Sequence, residues 1–384
     1  MLFVGGSFAL GLPVSVIHAM FIGLQRNEIP AAVVIANRFA MAVLTVAVVF
    51  QHRGLAAMGA AVAVANVGSY GAAYFAWRLW APQVRIRISL VSKACARIIT
   101  SYSLAMAAWF AGMLMVSGLD LAIVARFDYP ATAYYAVAAT LTGFVTQTQG
   151  AIFASLLPAS AVLSARGDAQ KLGAVLITST RYGMIILLAT ALPLVIAAKF
   201  VLRIWVGADY AVHSNAILQV LVVANVVRLA ALPYATLLLG TNQQRKVIMS
   251  PLAEGISNLC ASVLGAYFLG ALGVAIGTLI GSFVGVGLHV FHNMPRTAAI
   301  AFRRSEFIKQ GLLRPCACAA PFLPLLLLHL KVAAMSAGTA TLFSLAGISG
   351  TGYLFWKYAL IGSDKRQLEH ICRLGRAAQG VANT

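Results

Sequence analysis

Four ionisable residues stand inside otherwise apolar stretches of this chain: Arg38, Asp120, Arg228 and Glu254. A charge in hydrocarbon costs about 2.5–3.5 kcal/mol at the least, so such residues face a cavity, a partner or water. Guanidinium groups form forked hydrogen bonds with phosphate oxygens. A buried carboxylate takes up a proton or a small cation. Polar residues recur near them at helical spacing. Asn225 is three positions before Arg228, and Asn258 and Ser262 continue the face of Glu254 at i+4 and i+8. Tyr135, Thr142, Thr146 and Gln149 form a softer stripe. The pattern fits helices lining one water-accessible path. It equally fits interhelical hydrogen bonds around a buried ion pair of Arg228 with Glu254, because Ser, Thr and Asn commonly bridge membrane helices.

The elements that hold these residues follow from composition. Hydrophobic residues make up 61% of the chain and charged residues 10%, with a mean hydropathy of +0.89. That excludes an ordinary soluble domain and implies an all-α, polytopic membrane protein. Apolar runs place eleven transmembrane helices at 2–24, 31–50, 55–77, 102–125, 131–157, 182–202, 214–239, 247–268, 271–292, 316–330 and 338–360. The tenth is short and must extend outward or tilt. Too little chain lies between the spans for a separate soluble domain.

Lys and Arg orient the chain. With the Gln25-Arg26 turn on the cytoplasmic side, 21 of the 28 basic residues, Arg181 among them, fall on that side and five on the other. This is the positive-inside imbalance, and it places the amino terminus outside and the carboxy terminus inside. The net charge of +19 is then mostly topology, with no nucleic-acid partner implied. Residues 85–97 mix basic and apolar side chains. They suit either a segment lying on anionic membrane lipids or a plain solvated linker. The five cysteines have no paired spacing with histidine, the seven histidines are scattered, and no phosphate-binding glycine loop occurs. Neither a metal nor any other cofactor is expected.

Two stretches about 219 positions apart share their punctuation. Leu12-Pro13 matches Leu232-Pro233, the Gln25-Arg26 turn matches Gln244-Arg245, and a glycine-rich restart precedes the third run of each copy. Repeats of this kind mark transporters that rock two halves about a central site. The repeat divides the chain into a partial first lobe at 1–80, a basic linker at 81–98, a six-helix second lobe at 99–295, and two extra helices with a basic tail at 296–384. Residues 12–77 and 232–292 should superpose about an axis along the membrane normal. Three spans precede the second copy and none the first, which implies that three helices of the ancestral first lobe are missing here.

Several fragments carry a resemblance. They are Ile22-Gly23-Leu24-Gln25-Arg26, Leu119-Asp120-Leu121-Ala122-Ile123-Val124 followed by Tyr134-Tyr135-Ala136-Val137-Ala138, Leu157-Pro158-Ala159-Ser160-Ala161, Trp205-Val206-Gly207-Ala208-Asp209-Tyr210, and Leu239-Gly240-Thr241-Asn242-Gln243-Gln244-Arg245. In this order they resemble the Wzx-type polysaccharide and O-antigen flippases of the multidrug/oligosaccharidyl-lipid/polysaccharide exporter superfamily. The resemblance covers most of residues 5–295 and implies spans four to fourteen of that fold.

The resemblance implies a transporter in the bacterial inner membrane, not an enzyme, that flips an undecaprenyl-pyrophosphate-linked oligosaccharide for cell-surface polysaccharide export. Its partners would include a glycan polymerase or export machinery. Arg228 and Arg38 would contact pyrophosphate, Asn225, Gln149 and Tyr135 would meet sugar hydroxyls, and Asp120 or Glu254 would exchange a proton or sodium. Three rivals stand beside it. A multidrug exporter needs an acidic cavity. A membrane glycan polymerase or ligase needs a large outer loop, whereas the longest here is about 203–214. A truncated chain or partner subunit would not transport by itself.

Overall fold

The computed structural model describes residues 2–24, 26–84, 92–297, 299–322, 324 and 337–359, which form helices and short turns with no strand among them. Large apolar side chains such as Phe39, Phe75, Phe144, Phe268 and Phe283 point outward. Lipid-facing helices demand this, because backbone polar groups must be satisfied within each helix and the surface must match hydrocarbon. Among the described residues, seven helices are long and apolar enough to cross a bilayer, and a bent pair adds an eighth. One of the seven folds back on itself, so nine crossings lie between residues 2 and 296, where the hydropathy pattern sets the first nine.

The chain forms two compact units, Met1–Ala96 and Arg97–Thr384, and the boundary falls within the basic stretch 81–98. Residues 85–91, on which the lipid-surface expectation mostly rests, lie outside the described residues. The first unit contains α1 (Leu2–Gly23), α2 (Glu28–Phe50) and α3 (Leu55–Trp80). The α3 helix packs against both of the others. Buried Asn66 on α3 ties them together: it donates to Ser7 Oγ at 3.0 Å and accepts from Asn37 Nδ2 at 3.3 Å. Further along the same helices, Ile17, Phe21, Ile29, Ala73 and Ala76 form an apolar cluster.

The boundary between the units falls in the first turn of α4 (Lys93–Met113), which runs through a π turn at Leu114–Gly118 into α5 (Asp120–Phe127). Next come α6 (Thr132–Phe153), α7 (Leu156–Ala165), the 37-residue α8 (Ala169–Trp205) and the short α9 (Ala208–His213). Then α10 (Asn215–Leu229) and α11 (Leu232–Gly240) meet at a 42° bend. Pro233, in the first turn of α11, accounts for the break, since proline can start a helix but not continue one. Asp168 caps α8 by accepting from the Lys171 backbone N–H at 3.0 Å. The Lys171 ammonium, 2.7 Å away, holds the Asp168 carboxyl below its usual range.

The α8 helix carries the span read at 182–202 back to Ala169, so it takes in Lys171 and Arg181 of the basic connection. Arg181 is only 1% exposed, with its guanidinium 5.6 Å from the Tyr182 ring centre. Hydropathy averaged over a bilayer-length window does not see a helix that continues past the hydrocarbon and packs inside the protein.

The last element of the nine-crossing core is α12 (Met249–Leu288), which reverses at Gly270 (φ 57°) into two antiparallel arms. The positive φ makes glycine the natural residue at this reversal. Four glycines on the second arm, Gly273, Gly277, Gly281 and Gly285, recur every fourth residue. They face Gly265, Ser262, Asn258 and Glu254 of the first arm in turn. A Cβ on Gly281 would lie 2.6 Å from the Asn258 Cβ, and one on Gly277 would strike the Ser262 backbone. Small residues at this spacing let two membrane helices meet backbone to backbone. The reversal at Gly270 lies 219 positions after the turn at Gln51, the offset of the sequence repeat.

Beyond residue 300, Arg304–Glu306, a π turn at Phe307–Leu313 and Arg314–Cys318 show that the short tenth segment extends toward its amino-terminal side. Residues 323 and 325–330 of this segment lie outside the described residues, as does the basic tail at 360–384. The eleventh segment is Ala337–Leu354, followed by Phe355–Ala359.

The orientation has a direct test. In a cysteine-free background, a cysteine at exposed Ala208 is expected to label from outside intact cells, and one at exposed Gln170 only after permeabilisation. The opposite pattern would reverse the topology.

Candidate functional site

The π turn at Leu114–Gly118 does not repeat the ordinary helical hydrogen bonds, so it leaves backbone carbonyls in need of donors. Asn258, on the first arm of α12, supplies them: its Nδ2 donates to Met115 O at 2.9 Å and Val116 O at 2.7 Å. Gly112 of α4 and Gly255 of α12 allow the approach, since a Cβ on either would lie 2.6–2.7 Å from the other helix's backbone carbonyl. This crossing sets Asp120 as the first residue of α5, where unpaired N–H groups favour a negative charge.

Asp120 is 4% exposed, and its Oδ2 accepts from the Tyr135 hydroxyl at 2.9 Å and the Thr278 hydroxyl at 3.0 Å. Its Oδ1 is buried with no hydrogen-bond partner. Thr278 also reaches Val274 O at 3.2 Å. Ser262 donates to that same carbonyl at 3.2 Å and lies 3.3 Å from Asn258 Oδ1. The result is a cluster of oxygens from α5, α6 and both arms of α12 around one carboxylate.

Arg228 lies half-buried near the end of α10. Its Nη2 donates to Asn225 Oδ1 at 2.6 Å, an oxygen that also accepts from Thr146 at 3.1 Å. Its Nη1 has no partner. Asp120, Tyr135, Thr146, Asn225, Arg228 and Thr278 line one cavity of about 610 Å³. Beside it, a second cavity of about 300 Å³ is lined by Glu254, His289 and apolar side chains of α10 and α11. Arg228 belongs to both walls. Glu254 is 5% exposed, and its Oε1 has no partner. The buried ion pair of Arg228 with Glu254 is therefore not formed in this structure, although both carboxylates are near enough to act on the guanidinium through space.

Four of the seven residues picked out by the sequence, Asp120, Tyr135, Asn225 and Arg228, share the larger cavity, and Glu254 lies in the adjoining one. Gln149 does neither: it is 1% exposed, and its Nε2 is 3.4 Å from Gly183 O of α8, so it bridges helices. The stripe's period keeps Gln149 in line with Tyr135, but over four turns it rotates away from the cavity and toward α8. Arg38 lies in the first unit, exposed on α2. Sequence reasoning missed two residues, Thr278 and His289. His289 is 6% exposed and packs edge-on to Tyr234, with its Nδ1 3.1 Å from Asn293 Nδ2. It continues the four-residue series of Gly273 to Gly285, and that spacing was the available signal. Among the described residues, no three His, Cys, Asp or Glu side chains gather as metal ligands.

Antiparallel hydrophobic helices, broken at a π turn and a proline bend around buried ionisable groups, define an all-α, multi-pass membrane protein. No protein-family model matches the sequence, and no curated protein is similar to it. Among solved structures, the fold is similar to that of lipid II flippase MurJ in an inward closed conformation. The TM-score is 0.68 at 12% sequence identity, over 92% of this chain and 72% of that one. At that identity the likeness is one of fold.

Proposed function

We propose that the protein is a flippase for lipid-pyrophosphate-linked oligosaccharides of the undecaprenyl type, acting in the bacterial inner membrane to deliver precursors of a cell-surface polysaccharide. A pyrophosphate headgroup with sugars cannot cross hydrocarbon unaided and needs a hydrated, cationic lining, with its lipid tail left in the bilayer. The observation that carries the reading is Arg228. It stands in the last turn of α10 and lines a 610 Å³ cavity, held by Asn225, with Nη1 unpartnered. The bound state of such a group is a charge-assisted hydrogen bond to an anion. Likeness of fold to a flippase supports the substrate class.

In this reading Arg228 meets phosphate oxygens. Asn225 and Tyr135 offer amide and hydroxyl groups to sugar, and Gln149 keeps the lining rigid. Asp120, in its oxygen cluster, takes the coupling cation. One lobe rocks against the other, and the cation's differential affinity for the two states drives the cycle. The protein performs no covalent chemistry, and its partners are the lipid-linked substrate, membrane lipids and the polymerase or export machinery that consumes the flipped precursor.

The test is a flipping assay in proteoliposomes, using a fluorescent undecaprenyl-pyrophosphate oligosaccharide and, as a comparison, the same lipid without the pyrophosphate. Acceleration of the first alone is expected; equal rates for both, or none, would overturn the assignment. Asp120→Asn, which keeps the shape and removes the charge, is expected to lower the rate about ten-fold or more, the equivalent of losing one hydrogen-bonded charge at about 1.5–3 kcal/mol. An unchanged rate at equal protein level would remove Asp120 from the coupling role.

A further inference from the structure

The two cavities of the second unit follow one line. Asp120 and Thr278 lie toward the end that carries the Asp128 and Gly270 connections. Glu254 and His289 lie toward the end with the Gln243 and Thr297 connections. Arg228 stands between them in the wall both cavities share, with Thr146 and Gln147. Each carboxylate is buried, 4% and 5% exposed, and each keeps one oxygen without a hydrogen-bond partner.

Charge balance makes this arrangement informative. Two carboxylates face one guanidinium, which leaves the group one positive charge short when both acids are ionised. An uncompensated charge on a buried carboxylate is costly, so the second carboxylate calls for one monovalent cation. The surroundings supply no substitute. Glu254 faces Arg228 from α10, His289 and Gly285 from the second arm of α12, Ser250 and Asn258 along its own arm, and only apolar or neutral side chains from α4, α6 and α11. The neighbouring imidazole is fixed as well. Asn293 Nδ2 donates to Ser250 Oγ at 2.6 Å and faces His289 Nδ1 at 3.1 Å, which places the ring proton on Nε2.

We propose that Glu254, with His289, is a second station for the coupling cation, so that one monovalent cation passes between Asp120 and Glu254 inside this unit while Arg228 compensates whichever carboxylate it vacates. The proposal rests on the coupling role assigned to Asp120 above. It adds that the cation has a path along the unit, that only one is carried per cycle, and that Arg228 closes the path against a second. The cation is a proton or sodium; both neutralise a single carboxylate.

The experiment uses the full chain in proteoliposomes on a solid-supported membrane, without substrate. Sodium replaces choline at constant pH in one arm, and pH is stepped without sodium in the other. The arm that moves charge identifies the cation. Asp120→Asn is expected to abolish the transient. Glu254→Gln is expected to reduce the displaced charge to about half, because the cation stops at the first station partway across. Gly285→Ala supplies a second variant that keeps the charge, since the new Cβ would collide with the Glu254 carboxylate and move it. It is expected to reduce the charge in the same way. Wild-type transients from either correctly inserted variant would overturn the second station. If Asp120→Asn also gave a wild-type transient, the coupling reading itself would fall.

Discussion

Replacing Arg228 with alanine is expected to lower the flipping rate about 10- to 100-fold at unchanged protein level, and Arg228→Lys is expected to recover part of it. The range is what the loss of one charge-assisted hydrogen bond of about 1.5–3 kcal/mol produces. Lysine keeps the charge but not the fork. It can neither hold Asn225 Oδ1 and present a second N–H at a fixed angle nor grip two phosphate oxygens at once. The opposing explanation is that Arg228 only neutralises Glu254. Arg228→Ala would then destabilise the protein by leaving a buried carboxylate alone, and adding Glu254→Ala would restore both level and rate. Immunoblotting beside the flipping assay separates the two. In the present geometry Nη1 is unpartnered and no ion pair to Glu254 forms, so the rate should fall while the level holds.

A second large effect is expected where the arms of α12 meet. Gly277→Ala puts a methyl against the Ser262 backbone, and Gly281→Ala puts one 2.6 Å from the Asn258 Cβ. Neither contact can be relieved by a rotamer change alone, so the arms must part. Overpacking of this kind costs about 1–3 kcal/mol per site. Thermal unfolding in detergent, followed by size-exclusion chromatography, should show melting lowered by several degrees for each. Gly287→Ala is the control: it lies on the same arm with nothing within 4 Å of the new Cβ, and its melting should match wild type. Equal melting of all three would mean that the arms are not in backbone contact.

The comparison of sequence with structure turns on which forces are local. Apolar runs of bilayer length reveal themselves because each must face lipid, and the first nine crossings fall where they were read. Asp120, Arg228 and Glu254 were legible for the converse reason, since an ionised group inside such a run has few places to go. Asn225 was legible because a spacing of three places it beside Arg228. The failures have physical causes too. Nothing in a hydropathy window distinguishes a helix end from a helix that runs on into packed protein, so the burial of Arg181 within α8 was not legible. Gln149 shares the period of the stripe, but rotation relative to α8 decides what it touches. Thr278 and His289 are unremarkable singly; they matter because Gly270 reverses the chain and folds the second arm onto the first. The π turn at 114–118 depends on which carbonyls Asn258 reaches, 143 positions away in the chain from Met115.

That π turn has a mechanical meaning. A helix containing it carries one residue more than its hydrogen-bond ladder can use, a unit of slack that can be handed along the helix but not absorbed within it. Passing the slack one residue forward or back turns the segment it crosses by about 100°, the angle of one residue in a 3.6-residue turn. The Asn258 amide, with a hydrogen bond to each of two neighbouring carbonyls, is the peg that fixes where the slack sits. Asp120 begins two residues beyond it. Where the peg holds therefore sets which way the carboxylate looks, and the direction of Asp120 is a property of α12 as much as of its own helix.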